Sequence, residues 1–350
     1  MTSRERLICA MKCGTPDRVP VAPFGTSHFG LDTPLGQRLL HETDLIAYVG
    51  PGSNAIRGTD PPIRTEDHGS ETHIVYQTPR GPLTQIIRRT EITAATVKFP
   101  CATPADGEAM LEMDFQPAPV DLSMYLEMEA QVGEEGLTLI DCADAICWIA
   151  ELFSPEDFCL LWVEAPEMME RMMQVGTDRL AEWLERACAA GGQAWRMVGP
   201  EYASVMLGPQ AYERLIVGYN PRLHEIVHRH SGLVHTHNHG PMTNLYDLLL
   251  RLDTDSLDPL EAWPWGDCDL AEAKQHLGGK VCMLGNLDDM EILGKKPREE
   301  VLQVGRERLE VAGPDGFILG GTSSGTYTEY AAENFIALRE LSEEVYGVSD

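Results

Sequence analysis

The stretch Gly232-Leu-Val-His-Thr-His-Asn-His-Gly240 holds three imidazoles at alternate positions. Read as a β-strand, it puts Leu233, His235, His237 and His239 on one face, because side chains alternate with period two. Neighbours on that face stand roughly 6.5–7 Å apart along the strand, so His237 and His239 can converge on one metal ion. The competing reading is a set of neutral imidazoles that satisfy hydrogen bonds in a core. Gly240-Pro241 ends the strand, and Met242 to Leu252 reads as a helix. The pair therefore sits at the carboxyl end of a strand that feeds a helix, where α/β sheets and barrels keep their chemistry.

Two histidines and a carboxylate make a ligand set for a catalytic Zn²⁺ with an open fourth position. Glu201 and Glu261 are the carboxylate candidates, and Asp258 is placed to take a histidine N–H from outside the ligand set. Other strand ends add Asp141, Cys142 and Asp144, then Gly199-Pro-Glu201-Tyr202, Asp258-Pro-Leu-Glu261, Gly285-Asn-Leu-Asp288 and Gly320 to Gly325. Acids, imidazoles and small hydroxyls thus collect on one rim. Glu201, Tyr202 and Asp141 are the candidates for handling protons there. Against this stands the plain reading that any one acid is a solvated loop carboxylate, in a chain with 55 of them.

Elements to position such a rim are legible from Leu137 onward, where short apolar strands alternate with amphipathic helices. Strands are expected at Leu137–Asp141, Ala194–Val198, Leu233–His239, Ser256–Leu260, Lys280–Leu284 and Phe317–Leu319. Helices are expected at 166–190 and at about 209–216, 219–231, 241–252, 269–277, 297–311 and 331–345. Successive βα units imply a parallel sheet with right-handed crossovers. The length suits a single closed (β/α)8 barrel of TIM type spanning residues 1–350. No GxGxxG or Walker loop speaks for a nucleotide-binding open sheet. The first half is less regular. Thr2-Ser-Arg-Glu5 matches a capping box before a short helix through Met11, and Val19–Pro23 looks extended. Glu71–Gln77 and Leu83–Arg89 flank the turn Thr78-Pro-Arg-Gly-Pro82, a hairpin signal read as an insertion over about 66–92.

Composition narrows the function. Lys+Arg number 27 against 55 Asp+Glu, a net charge of −28, which repels phosphate backbones and anionic bilayers. No apolar run approaches the roughly 20 residues of a membrane span, and the N-terminus has no signal-peptide core. Nine scattered cysteines without a CxxC do not form a disulfide framework. A cytoplasmic enzyme with reduced thiols is expected. Cys282 is expected as a buried free thiol in the core or at the opposite rim, and the methionines, Met168-Met169 and Met172-Met173 among them, as helical core filler.

Several runs together resemble the uroporphyrinogen decarboxylase superfamily. They are Arg4-Glu-Arg6 with Pro16-Asp-Arg-Val-Pro20, Tyr76-Gln-Thr-Pro-Arg-Gly81, His237-Asn-His-Gly240, Asp258-Pro-Leu-Glu261, Asp269–Gly278, Gly285-Asn-Leu-Asp288 and the Gly-rich tail before Glu333-Asn334. The resemblance covers essentially the whole chain and implies a (β/α)8 barrel. True uroporphyrinogen decarboxylases carry an Arg-Gln-Ala-Gly-Arg signature that cradles tetrapyrrole carboxylates, whereas Val21 to His28 contains no arginine. A highly anionic substrate needs cationic partners. The other branch looks like the corrinoid-linked methyltransferases, which bind Zn²⁺ through a His-x-Cys pair and a later Cys. Here the pair is His237 and His239, and the later position falls near Thr322-Ser323, without sulfur. The resemblance thus implies a zinc-dependent methyltransferase of O- or N-methylated small molecules. Its corrinoid must come from a partner protein, since no Asp-x-His-x-x-Gly motif occurs. Two alternatives are a decarboxylase acting on another substrate, with Asp141 or Tyr202 handling protons, and a His-x-His metal hydrolase.

Overall fold

A computed structural model describes residues 1–322 and 327–347. Twelve strands occur among them: β1 Val21–Ala22, β2 Leu45–Val49, β3 Ile63–Asp67, β4 Glu71–Thr78, β5 Gly81–Arg89, β6 Ala94–Lys98, β7 Gly136–Ala143, β8 Ala194–Val198, β9 Leu233–His237, β10 Ser256–Asp258, β11 Cys282–Leu287 and β12 Phe317–Gly321. Eight form one parallel sheet in the order β1-β12-β11-β10-β9-β8-β7-β2. A parallel bridge between Phe24 and Ile46, with Gly25 N–H donating to the Ile46 carbonyl at 2.8 Å, draws the two ends together. The result is a (β/α)8 barrel, as the alternation of strands and helices implies.

Alternation decides what each strand gives to the barrel's inside. Toward the amino ends these positions are apolar: Leu137 and Leu139, Ala194, Leu233, Cys282 and Leu284, and Ile318 form one buried cluster. Helix Ser3–Met11 packs Leu7, Ala10 and Met11 into that cluster, so the lower end is filled by apolar side chains. Thr2 and Glu5 make the expected capping box. Cys282 is fully buried there and all nine cysteines are free. Met168, Met169, Met172 and Met173 are buried on helix Pro166–Ala189.

The runs near the N-terminus do structural work around one acid. Asp44 is fully buried and accepts from Arg6 Nη1 at 2.7 Å, Arg18 Nη1 at 2.6 Å and Val21 N–H at 2.8 Å. Asp17 holds the other side of Arg6 at 2.6 Å. This cluster ties the capping helix to the starts of β1 and β2.

The insertion is larger than a hairpin. Strands β3 to β6 form a four-stranded antiparallel sheet in sequence order, with the expected turn closing at the Thr78–Gly81 pair. Its outer strands escape a reading by period because β3 and β6 are mostly exposed on both faces. Strand β2 is a short apolar run that periodicity alone cannot separate from a buried helix.

Boundaries differ elsewhere for local reasons. The helix expected at 241–252 shrinks to Tyr246–Leu249. Asp267 Oδ1 takes the N–H groups of Met242 and Thr243 at 2.6 and 3.1 Å, which holds this segment as a turn. Strand β9 stops at His237 rather than His239, and β10 at Asp258 rather than Leu260. Strand β11 runs from Cys282 to Leu287, later than the expected 280–284.

Candidate functional site

Register places the polar side chains in rows across the barrel. Asp141 on β7 pairs with Arg196 on β8, Arg196 with His235 on β9, and His235 with Ser256 on β10. One step nearer the carboxyl ends, Val198 pairs with His237 and His237 with Asp258. The apolar lower barrel therefore gives way to a layer of acids, imidazoles and one guanidinium.

Asp258 is the hub of this layer. Fully buried, it accepts from His235 Nε2 at 2.7 Å and from His237 Nδ1 at 2.9 Å. His235 Nδ1 in turn meets the Ser256 hydroxyl at 2.8 Å. Burial alone would raise the Asp258 carboxyl, but the charges and hydrogen bonds of the two imidazoles hold it well below its ordinary value. His235 is thus committed on both nitrogens. His237 has its Nδ1 fixed by a carboxylate, which leaves Nε2 with its lone pair.

His239 lies just past the end of β9. Its ring still stands 4.5 Å from that of His237, edge to face at 88°. His239 Nδ1 meets Glu261 Oε1 at 3.0 Å, and Gly240 N–H donates to Glu261 Oε2 at 2.7 Å. The Glu261 hydrogen bond raises the His239 pKa against the opposing effect of burial, with the charges of Glu261, Asp258 and Glu201 adding to it. Burial works to raise Glu261, but the His239 and Gly240 hydrogen bonds prevail and its carboxyl is lowered. Both histidines of the pair thus carry a carboxylate on Nδ1, the arrangement that orients metal-ligating imidazoles.

Glu201 opens the short helix Glu201–Met206 directly after Gly199-Pro200. Its Oε2 is buried without a hydrogen-bond partner. An unpartnered buried carboxylate oxygen is costly, and here it lies within electrostatic reach of His239 on one side and Asp144 on the other. Two imidazoles with carboxylate-anchored Nδ1 atoms and an unsatisfied carboxylate oxygen are a donor set that fits Zn²⁺. The donors are not drawn tightly together. Among the described residues, the one group of three such side chains with ligand atoms all within 4.8 Å of one another is Glu66, His68 and His73, in the outer sheet.

The remaining expected residues are less central. Asp141 ends its row in an ion pair with Arg196 at 3.0 Å. Tyr202 is exposed at 36%, and partial burial raises its pKa. The Thr322-Ser323 position falls at the edge of the described residues, and Ser323 to Gly325 lie outside them.

Several residues of the site escape a reading that attends only to strand ends. Arg196 sits in mid-strand, with its guanidinium 4.8 Å from the Tyr48 ring centroid. An arginine inside Ala194-Trp-Arg-Met-Val198 was the available signal, since a buried strand seldom carries a charge without use for it. Tyr48 stacks on Phe24 at 5.4 Å and its hydroxyl is buried without a partner. A cavity of about 290 Å³ beside them is lined by Ser27, Tyr48, Asp141 and Arg196 among others.

Asp144 was expected at a strand end, but its surroundings set it apart. It is fully buried, accepts from Asn220 Nδ2 at 2.9 Å and leaves Oδ1 unpartnered. Burial pushes its pKa up to about 7, the Asn220 bond pulls the other way, and the Glu201 charge adds to the rise. It lines a second cavity of about 460 Å³ with Asn54, Arg57, Cys147, Trp148 and Trp183.

Residues 150–345 match the family model for uroporphyrinogen decarboxylase (URO-D). The chain belongs to that family. No curated protein matches it in sequence. Among solved structures, a methyltransferase from Methanosarcina mazei is 13% identical, with 97% of this chain and 98% of that one covered, at a TM-score of 0.66. A B12-independent methionine synthase from Shewanella sp. W3-18-1 is 12% identical over 75% of this chain and 74% of that one, at 0.44. The first likeness establishes a shared barrel and nothing finer.

Proposed function

We propose that the chain is a zinc-dependent methyltransferase, moving a methyl group between a small O- or N-methylated compound and a corrinoid held by a partner protein. The observation that carries this reading is the His237–His239 pair, each ring anchored through Nδ1 on a buried carboxylate at the barrel mouth. His237 and His239 would hold the ion through Nε2, and Glu201 would supply the carboxylate. Glu261, given as a possible ligand by sequence, serves instead to orient His239. When bound, zinc supplies Lewis acidity to the heteroatom that carries the methyl group.

The chain's own residues do the rest. Asp258 and Glu261 fix the two imidazoles so that little reorganisation is needed when substrate arrives. Arg196, braced by Asp141 and Tyr48, presents a fixed positive charge suited to an anionic group on the substrate. Asp144, with a pKa near neutrality, can hold or release a proton beside Glu201. A carrier protein approaching a chain of net charge −28 is favoured by a basic docking face, which speeds encounter more than it tightens binding.

The test mixes the protein with free cob(I)alamin, with corrinoid proteins from the same organism and with a panel of methoxylated and N-methylated compounds. Formation of methylcobalt absorbance, lost in His237→Ala/His239→Ala together with one equivalent of bound zinc, is the expected result. Decarboxylation or hydrolysis of a substrate, with no methyl transfer from any donor to any carrier, would overturn it.

A further inference from the structure

The outer sheet holds a second constellation that the barrel chemistry does not use. Strands β3 and β4 meet at a tight turn, where His68 N–H donates to the Glu71 carbonyl at 2.8 Å. Register sets Glu66 opposite His73 across the pair, and His68 leaves the strand end so that its ring lies 4.2 Å from that of His73. One ligand atom from each of Glu66, His68 and His73 falls within 4.8 Å of the other two.

The neighbouring charges prepare these donors. Glu66 gives Oε1 to Arg64 at 2.7 Å and turns Oε2 toward His68 Nε2 at 3.3 Å. Glu71 divides its oxygens in the same way, Oε1 to Arg88 at 2.9 Å and Oε2 to His73 Nε2 at 3.3 Å. The two imidazoles lie close to each other and to acid oxygens across long contacts, a spacing that a bridging cation shortens. The side chains are partly exposed, so an ion can enter without opening the fold.

We propose that Glu66, His68 and His73 bind a divalent transition-metal ion of the zinc type. The set is two imidazoles and one carboxylate, with remaining positions open to water, which suits zinc, copper or nickel over magnesium or calcium. Bound there, the ion cross-links β3 to β4 over the turn and stiffens the outer sheet. The inference is independent of the methyltransferase reading, because the residues belong to a different sheet from His237 and His239.

Zinc chloride titrations against a chromogenic chelator, on the full-length protein, test it. His237→Ala/His239→Ala should keep one zinc equivalent, and adding His68→Ala/His73→Ala should weaken or remove it by more than about tenfold. Histidine-selective ¹H–¹⁵N spectra of the unaltered protein give a second reading, free of any folding defect in the barrel variant. Two imidazole signals absent from the His68→Ala/His73→Ala spectrum should move when zinc is added. Unmoved signals at excess zinc, or equal zinc binding with and without the hairpin histidines, would overturn the proposal.

Discussion

Replacing Asp144 by Asn should make the protein more stable, and increasingly so as pH rises. The folded state keeps Asp144 out of water with Oδ1 unpartnered, so its pKa rises from 3.8 to about 7. In the unfolded chain the same carboxyl ionises near its ordinary value. Below about pH 4 both states are protonated and the group costs nothing. Between that point and pH 7 the unfolded state releases its proton while the folded state retains it, so stability falls by ~1.4 kcal/mol per pH unit. The full loss is about 4 kcal/mol and is constant above pH 7. Asn keeps an oxygen for Asn220 and has no charge to bury. Urea unfolding of both proteins from pH 4 to pH 8.5, compared at equal m-values, should show the variant gaining ground up to pH 7 and no further. Curves that stay parallel across this range would show that Asp144 is ionised and satisfied in the folded state, refuting the argument.

Asp44→Asn should destabilise by about 3–5 kcal/mol, because it strands Arg6 and Arg18 without their shared buried counter-charge; a chemical-denaturation midpoint reads this. Gly199→Ala should cost on the order of 2 kcal/mol or more, since φ is +120° and a Cβ would collide with Cys147 Sγ and Asp144 Oδ1. A thermal melt unchanged from the parent would contradict it. Glu201→Gln should retain the parent's melting behaviour and abolish turnover, and full activity in that variant would remove Glu201 from the site.

The barrel was legible because its second half repeats one pattern: an apolar strand of about five residues, a polar end, an amphipathic helix. Ala194–Val198 shows it most clearly, with strand limits that match the expectation. Strand β2 lacked that frame, since Leu45-Ile-Ala-Tyr-Val49 follows a helix but precedes the irregular loop at 50–62. Within the site, His237, His239, Asp258 and Glu261 could be grouped because each stands at a strand end. Arg196 and Tyr48 act from inside strands, and Asp144 becomes distinctive only through its burial. Its hydrogen-bond partner there, Asn220, stands 76 positions away, and local sequence cannot report such a meeting.

The helix at Ser3–Met11, set into the apolar floor of the barrel, turns the polar layer toward the opposite end. Under the proposed reaction, the small substrate and the carrier's corrinoid would both have to approach His237 and His239 from that one side, so the two partners would share a single face of the molecule.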